Sequence, residues 1–159
     1  MNGKAQDAAE RFIEQFGDII ELQGMPRMAG RVMGSLILSD QAYRSTSDLV
    51  EALKASKASI STATRLLIRL NMVERVSLLG RRHDYFRIKP DALHHHFKEG
   101  MSQLSIFREL AERGLELITN KDSASWQWLE ESRSLYAFFE REFPALLKRW
   151  EQERKLARS

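Results

Sequence analysis

The stretch SKASISTATRLLIRLN, residues 56–71, begins with small hydroxylated residues around one lysine and continues with apolar residues and arginines. An α-helix turns by about 100° per residue. With Ile60 pointing inward, the residues that share its side are Ala63, Thr64, Leu67 and Leu70. The residues on the opposite side are Ala58, Ser61, Thr62, Arg65 and Arg69. The stretch therefore predicts an amphipathic helix whose outer face is small at its start and cationic further along.

Local signals mark where this helix and a shorter one before it begin and end. Ser45 followed by Asp48 matches a capping box at the start of RSTSDLVEALKAS, residues 44–56. After a short turn, Ser56 stands as the N-cap of the second helix, and Asn71 stands where a helix ends in a left-handed residue. The sequence therefore predicts two short helices joined by a tight turn.

After Asn71 the pattern changes from helical to alternating. MVERVSL (72–78) and DYFRIK (84–89) are two β-prone runs, and the residues between them include Gly80, Arg81 and Arg82. These runs predict a β-hairpin with a basic tip. A helix pair followed by such a hairpin describes a winged helix-turn-helix, so the predicted fold class is mostly α with a two-stranded β wing.

Amphipathic helices are also predicted before the helix pair. Residues 5–23 place apolar side chains at helical spacing, with acidic residues on the other side. Pro26 occupies a first-turn position in the next helix. Gly30 and Gly34 lie four residues apart in that helix, which indicates either the close approach of another helix or a tolerated weak helix.

The last 70 residues are predicted to be helical as well. One helix begins at Pro90 and Asp91, and another begins near Asp122 or Ser123. Pro144 is expected either to kink the second helix or to open a final one, because proline lacks the backbone donor that a helix interior requires.

The charge is distributed unevenly along the 159-residue chain, whose net charge is +3. Residues 1–26 carry 2 basic and 5 acidic side chains, whereas residues 27–89 carry 12 and 5, a net charge of +7. Residues 90–159 carry 11 basic and 12 acidic side chains. A localised basic excess of this kind is typical of a surface that binds a polyanion, although a chance fluctuation on a solvated surface would give the same counts.

The basic section and the outer helix face together predict a DNA-binding surface. Small side chains let a helix start approach a groove, its amides and dipole favour a phosphate, and hydroxyls or arginines can meet base edges. No acidic residue occurs from 52 to 73. The candidate DNA-binding residues are Ser56, Lys57, Ser59, Ser61, Thr62, Arg65, Arg69, Arg81 and Arg82. Capping alone would account for Ser56 and Ser59, and a solvated face or ordinary turn would account for the arginines.

The segment DLVEALKASKASISTATRLLIRLNMVERV, residues 48–76, resembles the helix-turn-helix core of MarR-type regulators. GMPRMAGRVMGSLIL (24–38) is similar to the GbsR-like branch, and LLGRRHDYFRI (78–88) is similar to the wing. The resemblance covers residues 10–90 well and the C-terminal helices only in kind. Asn71 replaces the glycine usually found at that position.

The resemblance implies a homodimeric transcription regulator with its second helix in the major groove and the wing beside it. It implies three segments: an N-terminal dimerisation helix (1–24), a DNA-binding domain (25–89) and a C-terminal dimerisation region (90–159). The expected dimer-interface residues are Phe12, Phe16, Ile20, Trp126, Tyr136, Phe139 and Phe143. A two-fold dimer would present its recognition helices ~34 Å apart to a pseudo-palindromic operator, with repression as the expected outcome and a small effector as a possible partner.

A metal site, an effector pocket and protein contact are alternatives to DNA binding. Consecutive residues His94, His95 and His96 point about 100° apart on a helix and cannot converge on one ion, although His95 with Glu99 could contribute to a metal site. The C-terminal aromatic residues could line an effector pocket, and a winged helix can also serve protein contact alone. No cofactor is predicted, and no catalytic motif was found.

The composition sets the expected compartment. The chain has no cysteine, no long uncharged apolar run and no apolar stretch near its N-terminus, MNGKAQDAAE. We therefore expect a cytoplasmic protein with no membrane segment.

Overall fold

The computed structural model describes residues 3–77 and 84–157. In chain order, the elements of these ranges are α1 (Gly3–Leu22), α2 (Arg27–Ile37), β1 (Arg44–Ser45), α3 (Thr46–Leu53), α4 (Lys57–Arg69), β2 (Val73–Val76), β3 (Tyr85–Ile88), α5 (Ala92–Leu117) and α6 (Ala124–Leu156). The chain forms two compact units, one ending at His96 and the other beginning at Phe97. The mostly helical fold class is confirmed.

The core of the first unit lies where α2, α3, α4 and the sheet meet. Its fully buried aliphatic residues are Val32, Leu49, Ile60, Leu67 and Val73. Each such side chain contributes roughly 1.5–3 kcal/mol when it leaves water. This core holds α3 and α4 against α2 and fixes which face of α4 remains exposed.

Helix α1 packs closely on α2 through glycines. A Cβ added at Gly30 would lie 2.7 Å from the Cα of Gly17, and one at Gly34 would lie 3.2 Å from the Cα of Ile13. The close helix approach predicted from Gly30 and Gly34 is therefore confirmed. Pro26 is the N-cap of α2, one position before the first-turn place that was predicted.

The sheet has three strands in the order β1-β3-β2, so a third strand that was not predicted joins the predicted two-stranded wing. Strands β2 and β3 form the predicted antiparallel hairpin, with Val73 opposite Ile88. Strand β1 is only two residues long and pairs Ser45 with Tyr85. Two residues are too few to show alternation, and β1 is a strand only because β3 lies beside it.

The second unit contains residues 97–117 of α5 together with α6. The side chain of Ser123 caps α6 by accepting a hydrogen bond from the Trp126 amide. Helix α6 continues through Pro144, so no final helix begins there, and the alternative prediction of a kink stays a prediction. The rings of Phe107 and Tyr136 stack with their centroids 5.5 Å apart.

Candidate nucleic-acid interface

The outer face of α4 is exposed as its periodicity predicted. Ile60, Ala63, Thr64 and Leu67 are buried, whereas Leu70 is half-buried. The outward residues are Ala58, Thr62, Arg65 and Arg69, all exposed, and Ser61, half-buried. The buried Thr64 hydroxyl donates to the Ile60 carbonyl at 2.9 Å, which satisfies its one polar group inside the core. The structure thus brings small and cationic side chains together on one solvent-facing surface.

The start of α4 is capped by Ser56, which lies beside Ser59 of the first turn. The Ser56 hydroxyl accepts a hydrogen bond from the Ser59 amide at 3.1 Å, and the two hydroxyls lie 2.9 Å apart. The predicted N-cap at Ser56 is confirmed. Both hydroxyls therefore already serve the helix start, while Lys57 beside them is exposed.

Helix α3 is capped at its start and ends in a left-handed residue. The predicted capping box at the start of α3 is confirmed: the Ser45 amide donates to Asp48 at 2.8 Å and the Asp48 amide donates to the Ser45 hydroxyl at 3.1 Å. The hydrogen bond from the Ser45 amide lowers the pKa of Asp48, with smaller help from the Ser45 hydroxyl and the charge of Arg44. Lys54 ends α3 in the left-handed region, at φ 49°.

The end of α4 is tied to the strand that leads out of the wing. Asn71 has φ 56°, which confirms the predicted left-handed helix end. The Lys89 ammonium donates to the Asn71 side chain at 3.0 Å. No periodic signal in the sequence relates two residues 18 positions apart, so this link was not predicted.

The cations of α4 differ in environment from the arginines of the hairpin. On the strands, Arg87 pairs with Glu74 at 2.6 Å and Arg75 lies 3.4 Å from Asp84. Within the ranges that the structure describes, Arg65 and Arg69 form no ion pair, and Arg65 only donates to the Ser61 carbonyl at 3.2 Å. Within the described residues, α4 therefore carries arginines whose charge is not compensated by a carboxylate, unlike Arg75 and Arg87 of the hairpin.

Comparison with known proteins identifies the family. A family model described as "MmpR5-like MarR family transcriptional regulator" matches residues 91–153. The HTH-type transcriptional regulator MmpR5 of Mycobacterium tuberculosis is 33% identical over 141 residues, which are 89% of this chain and 86% of that protein. The chain belongs to the MarR family of transcriptional regulators. It is thus a DNA-binding transcriptional regulator, and the predicted MarR-type resemblance is confirmed.

Two further relatives agree with this assignment. A crystal structure titled as that of a transcriptional regulator superposes with a TM-score of 0.75 and 32% identity, over 91% of this chain and 99% of that one. The HTH-type transcriptional repressor OpcR of Bacillus subtilis is 33% identical over 86 residues, which are 54% of this chain and 46% of OpcR. The winged-helix fold and the regulatory function of this MarR-family protein rest on these likenesses.

The predicted DNA-contact residues form two groups, one within the described residues and one outside them. Lys57, Thr62, Arg65 and Arg69 are exposed and Ser61 is half-buried, while Ser56 and Ser59 form the cap just described. Arg81 and Arg82 lie outside the described residues, so the basic wing tip stays a prediction.

The candidate dimer residues of the regulator divide between the two units. In α1, Phe16 and Ile20 approach the glycines of α2, and Phe12 is 37% exposed. In α6, Phe139 is 40% exposed. The half-buried candidates of α6 are Trp126, Tyr136 and Phe143. Their role in dimerisation stays a prediction.

The remaining candidates concern metal and membrane. Across residues 3–77 and 84–157, no group of three or more His, Asp or Glu side chains is arranged to hold a metal ion. No helix in this part of the regulator is long and apolar enough to cross a membrane.

Proposed function

We propose that the regulator represses a nearby promoter by binding a pseudo-palindromic operator as a homodimer, with α4 in the major groove. The observation that carries this proposal is the row of exposed cations on α4, which have no carboxylate partner among residues 3–77 and 84–157. Isolated cations on a helix surface are free to neutralise phosphates, whereas cations held in ion pairs must first give up a partner. The ion-paired Arg87 of the hairpin is the contrasting case.

The residues of α4 have distinct roles in this proposal. Ala58 and Thr62 are small and exposed, so the first two turns can enter the groove without a clash. Lys57, at the first helical position, binds a phosphate beside the helix amides. Arg65, about two turns after Lys57, reaches a base edge or a phosphate, and Arg69 binds a phosphate.

The dimer is supported by the apolar surface of the second unit. The large apolar side chains that are 40–61% exposed there include Ile106, Phe107, Leu110, Leu135, Phe138 and Phe139. Monomeric soluble proteins rarely expose so many large apolar side chains on two helices. A second copy of the chain would cover these side chains. The two-fold axis of the resulting dimer would place the two copies of α4 ~34 Å apart.

The finer parts of the proposal rest on sequence. The similarity of residues 24–38 to the GbsR-like branch supports a place in that branch, and a DNA target supports a cytoplasmic location. A small effector that shifts operator affinity belongs to the same proposal, with the aromatic residues of α6 as its candidate contacts.

Selection of bound duplexes from a random pool at moderate salt tests the proposal. We expect an inverted repeat whose half-sites are about one helical turn apart, ~10 base pairs. The Arg65→Ala variant should bind the selected duplex more weakly. The matched control is Arg149→Ala, since Arg149 is 70% exposed on α6 and its Nε lies 3.9 Å from Glu153. Failure of the wild-type protein to enrich any sequence would refute operator binding and favour the protein-contact function.

A further inference from the structure

Arg31 joins three helices of the first unit through one guanidinium group. From α2, its Nε donates to the Glu14 carboxylate of α1 at 2.8 Å. Its Nη2 donates to the Leu53 carbonyl, the last residue of α3, at 3.0 Å. The side chain is only 19% exposed, so these hydrogen bonds are shielded from water. Arg31 therefore ties α1 to the end of α3.

The end of α3 needs such a partner. The last four carbonyls of an α-helix have no intrahelical donor, and the negative end of the helix dipole favours a cation. The amides of Lys54 and Ala55 turn back to Glu51 and Val50. Helix α3 has no basic residue in its last turn, so Arg31 supplies the cation from another helix.

The position of this contact relates it to α4. Leu53 is followed by Lys54 in the left-handed region, and Ser56 then caps α4. Only three residues separate the carbonyl held by Arg31 from the first residue of α4. A shift of that carbonyl would therefore move the start of α4, where the small outward side chains lie.

Helix α1 is shaped to admit the Arg31 side chain. A Cβ added at Gly17 of α1 would lie 2.9 Å from the Cγ of Arg31 and 3.2 Å from the Cγ of Arg27. The Cγ is close to the backbone and cannot move away without moving the whole side chain. Glycine at position 17 thus leaves the path that lets Arg31 cross α1 and reach both acceptors.

We propose that Arg31 is a positioning residue for DNA binding, which fixes the turn between α3 and α4 relative to α1. The proposal rests on the proposed role of α4 as the helix that contacts DNA. Arg31 touches no DNA in this scheme. The fork of the guanidinium is essential, because two separate nitrogens of one rigid plane, Nε and Nη2, donate to acceptors on two helices. A lysine at this position has the charge but lacks the fixed fork.

Arg27 provides a matched control. It also joins α2 to α1, with hydrogen bonds to Glu14 and Asp18 at 2.9 and 2.8 Å. Its side chain is 43% exposed, and within the described part of the chain its hydrogen-bond acceptors, Glu14 and Asp18, both lie on α1. Loss of Arg27 therefore removes an ion pair between α1 and α2 but leaves the end of α3 capped by Arg31.

The experiment compares Arg31→Lys, Arg31→Met, Arg27→Met and Arg65→Ala by fluorescence anisotropy on the duplex selected from the random pool. Each variant is measured over a series of salt concentrations, at a temperature where circular dichroism shows it folded. We expect Kd to rise about tenfold for both Arg31 variants. The free energy lost with one hydrogen bond to a charged group corresponds to about a tenfold change in an equilibrium constant. The salt slope should stay that of the wild type, and Arg27→Met should stay within about twofold.

Hydrogen exchange supplies a readout that separates positioning from simple stabilisation. In Arg31→Lys, the amides of residues 53–60 should exchange faster while the core of α2 keeps its protection. Wild-type affinity in Arg31→Lys would overturn the proposal by showing that charge alone suffices. A reduced salt slope would overturn it by making Arg31 a phosphate contact.

The outcomes also separate this inference from the proposed function. Weakened binding by Arg65→Ala with unchanged binding by both Arg31 variants refutes the role of Arg31 alone. Unchanged binding by Arg65→Ala and by both Arg31 variants refutes the use of α4 itself.

Discussion

Replacing Gly30 by alanine should destabilise the regulator although alanine is the better helix former. The added Cβ would lie 2.7 Å from the Cα of Gly17 and 2.8 Å from the Phe16 carbonyl and the Ile20 Cβ. Alanine gains about 1 kcal/mol of helix propensity over glycine. Two of the three close atoms are backbone, so α1 must move away from α2, at a cost near the upper end of the roughly 1–3 kcal/mol typical of overpacking. We expect a net loss of about 2 kcal/mol.

Urea unfolding at a fixed protein concentration measures this change, with two other glycines as controls. At Gly34 the closest atom is the Ile13 Cα at 3.2 Å, so Gly34→Ala should be nearly neutral. Gly100 in α5 has nothing within 4 Å of an added Cβ, so Gly100→Ala should stabilise the protein by about 0.5–1 kcal/mol. A Gly30→Ala protein that is as stable as Gly100→Ala would refute the close packing of α1 on α2.

Two further predictions concern the cap of α3 and the dimer. Asp48→Ala should cost about 1 kcal/mol at neutral pH by removing the capping box. Because the folded-state pKa of Asp48 is lowered, the wild-type advantage exists above its unfolded pKa of about 3.9 and is lost as pH falls through the folded value. Thermal melts of both proteins at pH 7 and at pH 3 measure this difference, and a gap of equal size at both pH values would contradict it. Phe139→Asp should shift the protein toward a monomer in sedimentation equilibrium, because a charge would then lie on the apolar surface of α6. The control is Lys148→Asp, which changes the charge at an exposed position of the same helix. A dimer that persists in Phe139→Asp would show that Phe139 is not part of the interface.

The local signals of the sequence predicted the centre of the fold well. Ser45 with Asp48, Ser56 and Asn71 each act within a few residues, so capping chemistry could be identified from sequence. The inward set around Ile60 followed from the 3.6-residue period because one core covers that face of α4. The low helix propensity of Gly30 and Gly34 indicated a place where another helix could approach.

Features that depend on tertiary contacts were missed. Strand β1 exists only through its pairing with β3, and the contacts of Arg31 and Lys89 join residues 17 to 22 positions apart. Pro144 was overestimated as a breaker, since helix-forming residues on both sides carry α6 through it. The arginines predicted for the wing tip lie outside the described residues.

The salt dependence of DNA binding tests the central claim most directly. On the selected duplex, the logarithm of the association constant should fall linearly with the logarithm of salt concentration, with about 0.9 of slope for each phosphate neutralised. The Arg65→Ala/Arg69→Ala double variant should reduce the slope by about 1 to 2, whereas Arg149→Ala should leave it unchanged. An identical slope in the wild-type protein and the double variant would contradict the claim that the exposed cations of α4 contact DNA.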